Sequence, residues 1–146
     1  MHFVKHLKIK ELETNQEYEW ILDIRKKVFI KEQKVPSEIE IDEYEKEATY
    51  FIAYFNKEPV GCARIRFNNY AKLERIAVVK KHRMNGFGTK ITKHLINYCK
   101  RKNISDIRIH SQSYIANFYE KIGFKKISEE FYEAGIKHVE MVYQKP

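Results

Sequence analysis

The sequence predicts an α/β fold, a mixed central sheet flanked by helices, formed as one domain across residues 1–146. Three observations predict it. Runs of β-type residues alternate with runs of helical period along the chain. Three strands follow one another closely between residues 50 and 79, as in a meander. The third strand empties into a glycine-bearing loop that opens a helix, and another strand follows. Those two strands are therefore expected to be parallel neighbours joined by a right-handed crossover. The length suffices for one proper core and falls short of two ordinary domains.

Residues 3–9 alternate loosely, with Phe3, Leu7 and Ile9 set apart from Lys5, His6 and Lys8, and suggest a first strand. Thr14-Asn-Gln-Glu17 reads as a capping box in which Glu17 reaches back to the cap. The helix it opens carries Trp20, Ile21, Ile24, Val28 and Phe29 on one face. It ends before Pro36, because the residue before a proline avoids helical geometry. Residues 37–47 are acidic in a basic protein. They read as a solvated loop, with the alternative of an acidic wall for a cationic acceptor.

Residues 50–55 and 60–67 are β-rich runs around the turn Asn56-Lys-Glu-Pro59, and Gly61 marks a bulge or a close backbone approach. A turn at Asn68-Asn69 leads into a strand over residues 73–79. The next helix carries Phe87, Ile91, Leu95, Tyr98 and Cys99 and runs to about Lys102. Residues 106–110 alternate as a short strand. Tyr114, Ile115, Phe118, Tyr119 and Ile122 then recur at helical spacing, stopped by Gly123. Residues 124–127 and 138–143 complete the sheet, linked by residues 128–137.

A formal charge of +8 favours polyanions, which makes a basic nucleic-acid-binding module an alternative function. Against it, the lysines are spread through most segments and no RRM, KH, zinc-finger or helix-turn-helix signature is visible. No apolar run of about 18 residues occurs, and Met1-His-Phe-Val-Lys-His lacks a signal-peptide core. The expectation is a cytoplasmic protein without a membrane partner. Cys62 and Cys99 lack C-x-x-C spacing and the six histidines form no H-E-x-x-H. No metal is expected.

Chemistry concentrates in Arg83-Met84-Asn85-Gly86-Phe87-Gly88, between a strand and a helix. Such a loop is an anion site, because its N–H groups point outward and the helix dipole adds positive potential. Glycines let backbone approach a ligand where a Cβ would intrude. Lys80, Lys81, His82 and Arg83 stand at the same place. A Walker loop is absent, and a dinucleotide fingerprint fails because the position after Gly86 and Gly88 in register is Ile91. A phosphate-bearing ligand of another kind is indicated.

The string Arg-x-x-Gly-x-Gly after a strand ending in Ala-Val resembles the pyrophosphate loop of the GNAT superfamily of acyl-CoA N-acyltransferases. Asn117-Phe-Tyr-Glu-Lys-Ile-Gly-Phe124 resembles a second motif of that family, in the right order and spacing. Ile24-Arg-Lys-Lys-Val-Phe-Ile-Lys-Glu-Gln-Lys-Val-Pro36, Glu40-Ile-Asp42, Leu73-Glu-Arg-Ile-Ala-Val78 and Ala134-Gly-Ile-Lys-His138 resemble its ElaA/YjcF-like branch. The family's common Asn, seven positions before the motif tyrosine, is Gln112 here, as the branch also tolerates.

The resemblance implies a GNAT fold and an acetyl-CoA-dependent N-acetyltransferase. It would move an acetyl group to a primary amine, on a small molecule or peptide, by direct attack in a ternary complex. A catalytically silent acyl-CoA sensor is a further alternative, and a homodimer is left open. Acetyl-CoA would sit where two parallel strands splay, pairing with the backbone of Ile76, Ala77 and Val78. Its pyrophosphate would rest on the N–H groups of Arg83, Met84, Asn85, Gly86, Phe87, Gly88 and Thr89, and Gln112 would hold its pantetheine arm. Tyr119 matches the tyrosine that protonates the leaving sulfur. Glu74 is the first candidate for general base, since plain strand alternation puts it on one face with Ile76 and Val78. His110 is a rival base and His138 a third candidate, for the acceptor. The acceptor enters from the side of the first helices, which makes Arg25, Phe29, Glu32 and Gln33 candidate lining residues, although Arg25 reads better as a packing or helix-surface residue.

Overall fold

Each β-rich run becomes a strand in the computed structural model, which describes residues 6–144. The strands are β1 (Leu7–Glu11), β2 (Thr49–Phe55), β3 (Glu58–Phe67), β4 (Ala71–Val78), β5 (Ile107–Gln112), β6 (Phe124–Lys126), β7 (Phe131–Glu133) and β8 (Ile136–Tyr143). They form one sheet in the order β1-β2-β3-β4-β5-β8-β6, with β7 also on β8. Among the described residues only β4 and β5 pair in parallel, as the crossover predicts. Phe3 and Lys5 of the predicted first strand lie outside the described residues. The strand not expected is β7, three residues long, which turns into β8 through Ala134 and Gly135, both at positive φ.

The helices are α1 (Asn15–Arg25), α2 (Ser37–Glu40), α3 (Phe87–Arg101) and α4 (Ala116–Ile122). The sheet is buried on both faces. Phe51, Ala63, Ile65 and Leu73 pack with Ile91, Leu95 and Tyr119 of α3 and α4. Tyr50, Ile52, Cys62 and Ala77 pack with Ile21 and Ile24 of α1 on the other face. Successive residues of β2 thus feed opposite cores, the period-2 signature of a central strand. No helix among the described residues is long and apolar enough to cross a membrane.

Thr14 caps α1 as predicted, its hydroxyl accepting the Glu17 N–H at 3.1 Å. The return arm differs: the Glu17 carboxylate accepts the N–H of Glu13, one residue before the cap, at 3.0 Å. The buried face of α1 also differs. Glu17, Ile21, Ile24 and Arg25 are covered, whereas Trp20 is 39% exposed and rests edge-on against Tyr54. Beyond Arg25 the helix continues as a π-helical segment, Lys26–Glu32, whose wider turn ends at the Gln33 N–H to Val28 carbonyl bond.

The β2–β3 turn is tighter than predicted, with Asn56 and Lys57 both at positive φ, as two-residue hairpins of the primed type require. Gly61 is a close approach. A Cβ there would lie 2.8 Å from Ile91 Cδ1 and 2.9 Å from the Ala77 carbonyl oxygen.

One irregularity in β4 decides where the site residues face. Arg64 of β3 pairs with Glu74 and Cys62 pairs with Ala77, so two residues of β4 oppose one of β3. Arg75, at φ 54°, is part of this bulge. Leu73, Ile76 and Val78 consequently share one core, while Ala77 joins the other. Glu74, next to Leu73, therefore points away from Ile76 and Val78, which corrects the plain alternation expected from sequence.

Candidate active site

β4 and β5 pair only from Ala71–Ile107 to Leu73–Ile109. Past that point the right-handed twist and the β4 bulge part them, and the β4 edge from Glu74 onward has no partner in β5. A cleft of about 410 Å³ opens there. Its walls bring together Phe29 and Gln33 from the π-helical end, Ile76 from β4, and His110 and Gln112 from β5. Tyr119 of α4 and His138 of β8 complete the set. Glu74 of β4 lines it too, so eight candidate residues singled out in sequence, from five separate elements, share one cavity.

The glycine loop lies at the end of β4. Gly86 takes a left-handed conformation (φ 75°, ψ 12°) and starts α3 with no side-chain cap. A Cβ at Gly86 would meet nothing within 4 Å, so the space above the helix start is open. The first-turn N–H groups of α3 have no intrahelical acceptor by helix geometry. Phe87 is 1% exposed and packs on Phe55, which fixes the orientation of that turn. Gly88 serves packing instead. A Cβ there would come within 3.3 Å of Phe118 Cζ, so the bare backbone admits α4 against α3. Met84 projects fully into solvent.

The cations beside the loop are divided among partners. Lys81 and His82 both reach Glu58, at 3.2 and 2.9 Å. Arg83 donates to the Val78 carbonyl at 2.9 Å and grips Glu32 with both terminal nitrogens, at 2.8 and 2.9 Å. Glu32 therefore faces the loop and lines a separate groove with Trp20 and Lys80, away from the main cleft. Its expected place on the acceptor wall is corrected.

Gln112 donates its amide hydrogen to Gln33 at 2.8 Å, which orients two predicted site residues against each other. Tyr119 is 6% exposed, and burial alone pushes its phenol well above the usual range. Glu74 is held by cations: Arg64 and Arg66 each at 3.0 Å and Lys72 at 3.2 Å. Burial would raise its carboxyl, but Arg64, Lys72 and Arg66 outweigh burial and leave it below the usual range. A carboxylate so stabilised takes up a proton poorly, which argues against a general base.

Residues 10–145 match the family described as the Acetyltransferase (GNAT) domain. The chain belongs to the GNAT acetyltransferase family. Among GNAT relatives, the uncharacterized N-acetyltransferase YjcF of Bacillus subtilis is 42% identical over 121 residues, 82% of this chain and 86% of that protein. ElaA of Escherichia coli superposes with a TM-score of 0.84 at 20% identity, covering 95% of this chain and 100% of ElaA. A GNAT family acetyltransferase from Elizabethkingia anophelis, solved with acetyl-CoA bound, superposes with a TM-score of 0.64 at 21% identity, covering 93% and 94% of the two chains.

This GNAT domain places one charged cluster that the sequence pattern does not reveal. The acidic segment is a solvated loop only in part: Glu38, Glu43 and Glu47 are exposed, whereas Glu40, Asp42 and Glu45 turn inward. Glu40 is 2% exposed, and Arg25 and Arg64 are fully covered. Arg25 donates to Glu40 at 2.7 Å and to Glu45 at 2.6 Å. Arg64 bonds Asp42 and Glu45, the latter at 2.7 Å, and Arg75 reaches Glu40 at 2.9 Å. Arg66 lies 3.7 Å over the Tyr44 ring. The network pins the segment across β3 and β4, so it closes the cleft with carboxylates already paired to guanidinium groups. Arg25 is a core residue. Glu133 of β7 is a second residue not foreseen from sequence: it lines the cleft and bonds His110 Nδ1 at 2.9 Å.

Proposed function

We propose that this chain transfers the acetyl group of acetyl-CoA to a primary amine, on a small molecule or peptide, by direct attack in a ternary complex. One observation carries the reading. The gap between β4 and β5 opens at the end of the glycine loop, and the cleft it forms is lined by Gln112 and Tyr119. Family membership supports it, as does the acetyl-CoA held by the Elizabethkingia relative.

The residues fit such a ligand. The open space above Gly86, with an uncapped helix start, suits a pyrophosphate. The edge of β4 around Ile76 and Val78, unpaired in β5, offers backbone groups to the pantetheine arm as an added strand would, the Val78 carbonyl being shared with Arg83. A backbone N–H there polarises the thioester carbonyl. Gln112, oriented by Gln33, holds the arm from the β5 side. Acetyl-CoA supplies an activated thioester. Tyr119, kept protonated by burial, donates a proton to the departing sulfur. Glu74 serves the ion network in this scheme, and the acceptor enters past Phe29 and Gln33.

Calorimetric titration of the full chain with acetyl-CoA, with ATP and NAD as controls, tests the reading. Saturable binding selective for acetyl-CoA is expected. Folded protein that binds none of the three sinks it.

A further inference from the structure

We propose that His138 accepts the proton of the attacking amine, with Glu133 and His110 as its positioning residues. The inference rests on the acetyl-transfer reading above and supplies the base that Glu74, bound by three cations, is unsuited to be.

His138 lies on β8, opposite Gln112 of β5 on one side and Phe131 of β7 on the other. It lines the cleft and is 7% exposed. Its Nδ1 is 2.7 Å from the Ile136 carbonyl oxygen. A carbonyl only accepts, so Nδ1 carries the hydrogen and the neutral ring keeps its lone pair on Nε2. That nitrogen stands 3.8 Å from a Glu133 carboxylate oxygen. A lone pair gains nothing from a carboxylate, whereas an imidazolium does. Glu133 thus stands beside the nitrogen that carries the new hydrogen after proton uptake.

The surroundings hold this arrangement in place. The other Glu133 oxygen is bonded by His110 Nδ1 at 2.9 Å. Phe131 stacks on the His138 ring at 24° and meets His110 edge-on. The charged or titratable groups facing the pair are Glu133 on β7, His110 on β5 and Lys72 on β4. Lys72 is itself paired with Glu74 at 3.2 Å. His110 is the less accessible candidate because both its nitrogens are already engaged, Nδ1 by Glu133 and Nε2, at 3.4 Å, by Glu140.

In the step, the acceptor ammonium gives one proton to His138 Nε2. Its freed lone pair forms the C–N bond, and the C–S electron pair leaves with sulfur. Tyr119 protonates that sulfur and regains a proton from the new amide nitrogen through water. His138 returns its proton to solvent, so one ammonium and one thioester give one amide, one thiol and one released proton.

The test uses the full chain, His138→Gln and Glu133→Gln. Thiol release from acetyl-CoA is followed with a panel of alkylamines, amino-acid esters and lysine peptides. With the amine that wild type uses fastest, His138→Gln is expected to lose roughly 10²-fold in kcat/KM, with acetyl-CoA affinity unchanged. Glu133→Gln keeps the shape of the side chain and removes its carboxylate, so it is expected to lower kcat while the KM for the amine and the acetyl-CoA affinity are unchanged. Ring-nitrogen NMR of wild type is expected to show hydrogen on His138 Nδ1. Wild-type kcat/KM in His138→Gln, or hydrogen on Nε2 in the neutral ring, overturns this assignment alone. Wild type that binds no acetyl-CoA, or releases no thiol with any amine, overturns the transfer reading and the base with it.

Discussion

Gln33 and Gln112 meet across the mouth of the cleft, the Gln112 amide nitrogen 2.8 Å from the Gln33 amide oxygen. One ends the π-helical segment after α1 and the other ends β5. The contact turns the Gln112 amide so that its nitrogen is satisfied by protein and its oxygen remains for a ligand donor.

That coupling has a thermodynamic signature. Gln112→Ala is expected to weaken acetyl-CoA binding by roughly 10-fold, the worth of about one net hydrogen bond. Gln33→Ala acts only by loosening Gln112, so it costs less alone and nothing further in the double variant. Calorimetry on the four proteins measures the cycle. Strictly additive losses would show that the two amides act independently.

The open space above Gly86 separates binding from folding. Gly86→Asp adds bulk and negative charge where the pyrophosphate is proposed to sit, yet apart from its own chain neighbours its Cβ would meet nothing within 4 Å. Asp tolerates a left-handed conformation better than most side chains, so the strain is modest. Acetyl-CoA affinity should fall at least about 10-fold, while Tm stays within a few degrees of wild type. Unchanged affinity removes the loop from the site.

For Tyr119, the structure raises two roles at once, core packing and proton donation. Tyr119→Phe keeps the ring in its contacts with Phe118 and Phe124 and deletes only the hydroxyl. Turnover should drop roughly 10²-fold with acetyl-CoA affinity preserved. Near-wild-type kcat would leave Tyr119 a packing residue.

The sheet, the helices after the glycine loop and the parallel β4–β5 pair were legible because hydrophobic period and loop chemistry agree there. β7 was not: Phe131-Tyr-Glu133 is too short for alternation to register, and its pairing with β8 is decided by the turn at Ala134 and Gly135. The bulge at Arg75 was also hidden, since alternation assumes an even ladder and the extra residue reverses every side chain beyond it. Glu74 was put on the wrong face for that reason, although it still lines the cleft. The ion network left a trace that could have been read. Arg25 and Arg64 interrupt apolar stretches of the sequence, beside Ile24 and between Ala63 and Ile65, and an acidic segment supplies the opposite charge. Pattern rules treat each charge as solvent-facing, so they cannot find charges that are buried in pairs.

Buried pairs also set how the fold fails. Arg25 has no exposed surface and serves Glu40 and Glu45 together. Arg25→Met would leave buried carboxylates without their cation, a loss of about 3–5 kcal/mol by the usual cost of breaking such a pair from one side. Urea denaturation measures it, and a loss below about 1 kcal/mol would place the network's weight elsewhere.

The same carboxylates fix the response to acid. Burial would raise Glu17, but the Tyr54 hydroxyl, the Glu13 N–H and Lys10 hold its carboxyl down to about 2. Asp42, Glu45 and Glu74 are likewise lowered, burial being outweighed by Arg64, Arg25 and their neighbours. Each of these groups binds a proton more readily unfolded than folded. Their stabilisation is complete above the unfolded carboxyl range, near pH 4, and is lost as pH falls through the folded values. Tm should therefore hold from neutral pH to about 5 and then decline steadily towards pH 2. Glu17→Gln removes the lowest of these titrations, so its curve should lie below wild type at pH 7 and converge on it in acid. Parallel curves for the two proteins would mean that Glu17 titrates alike in both states.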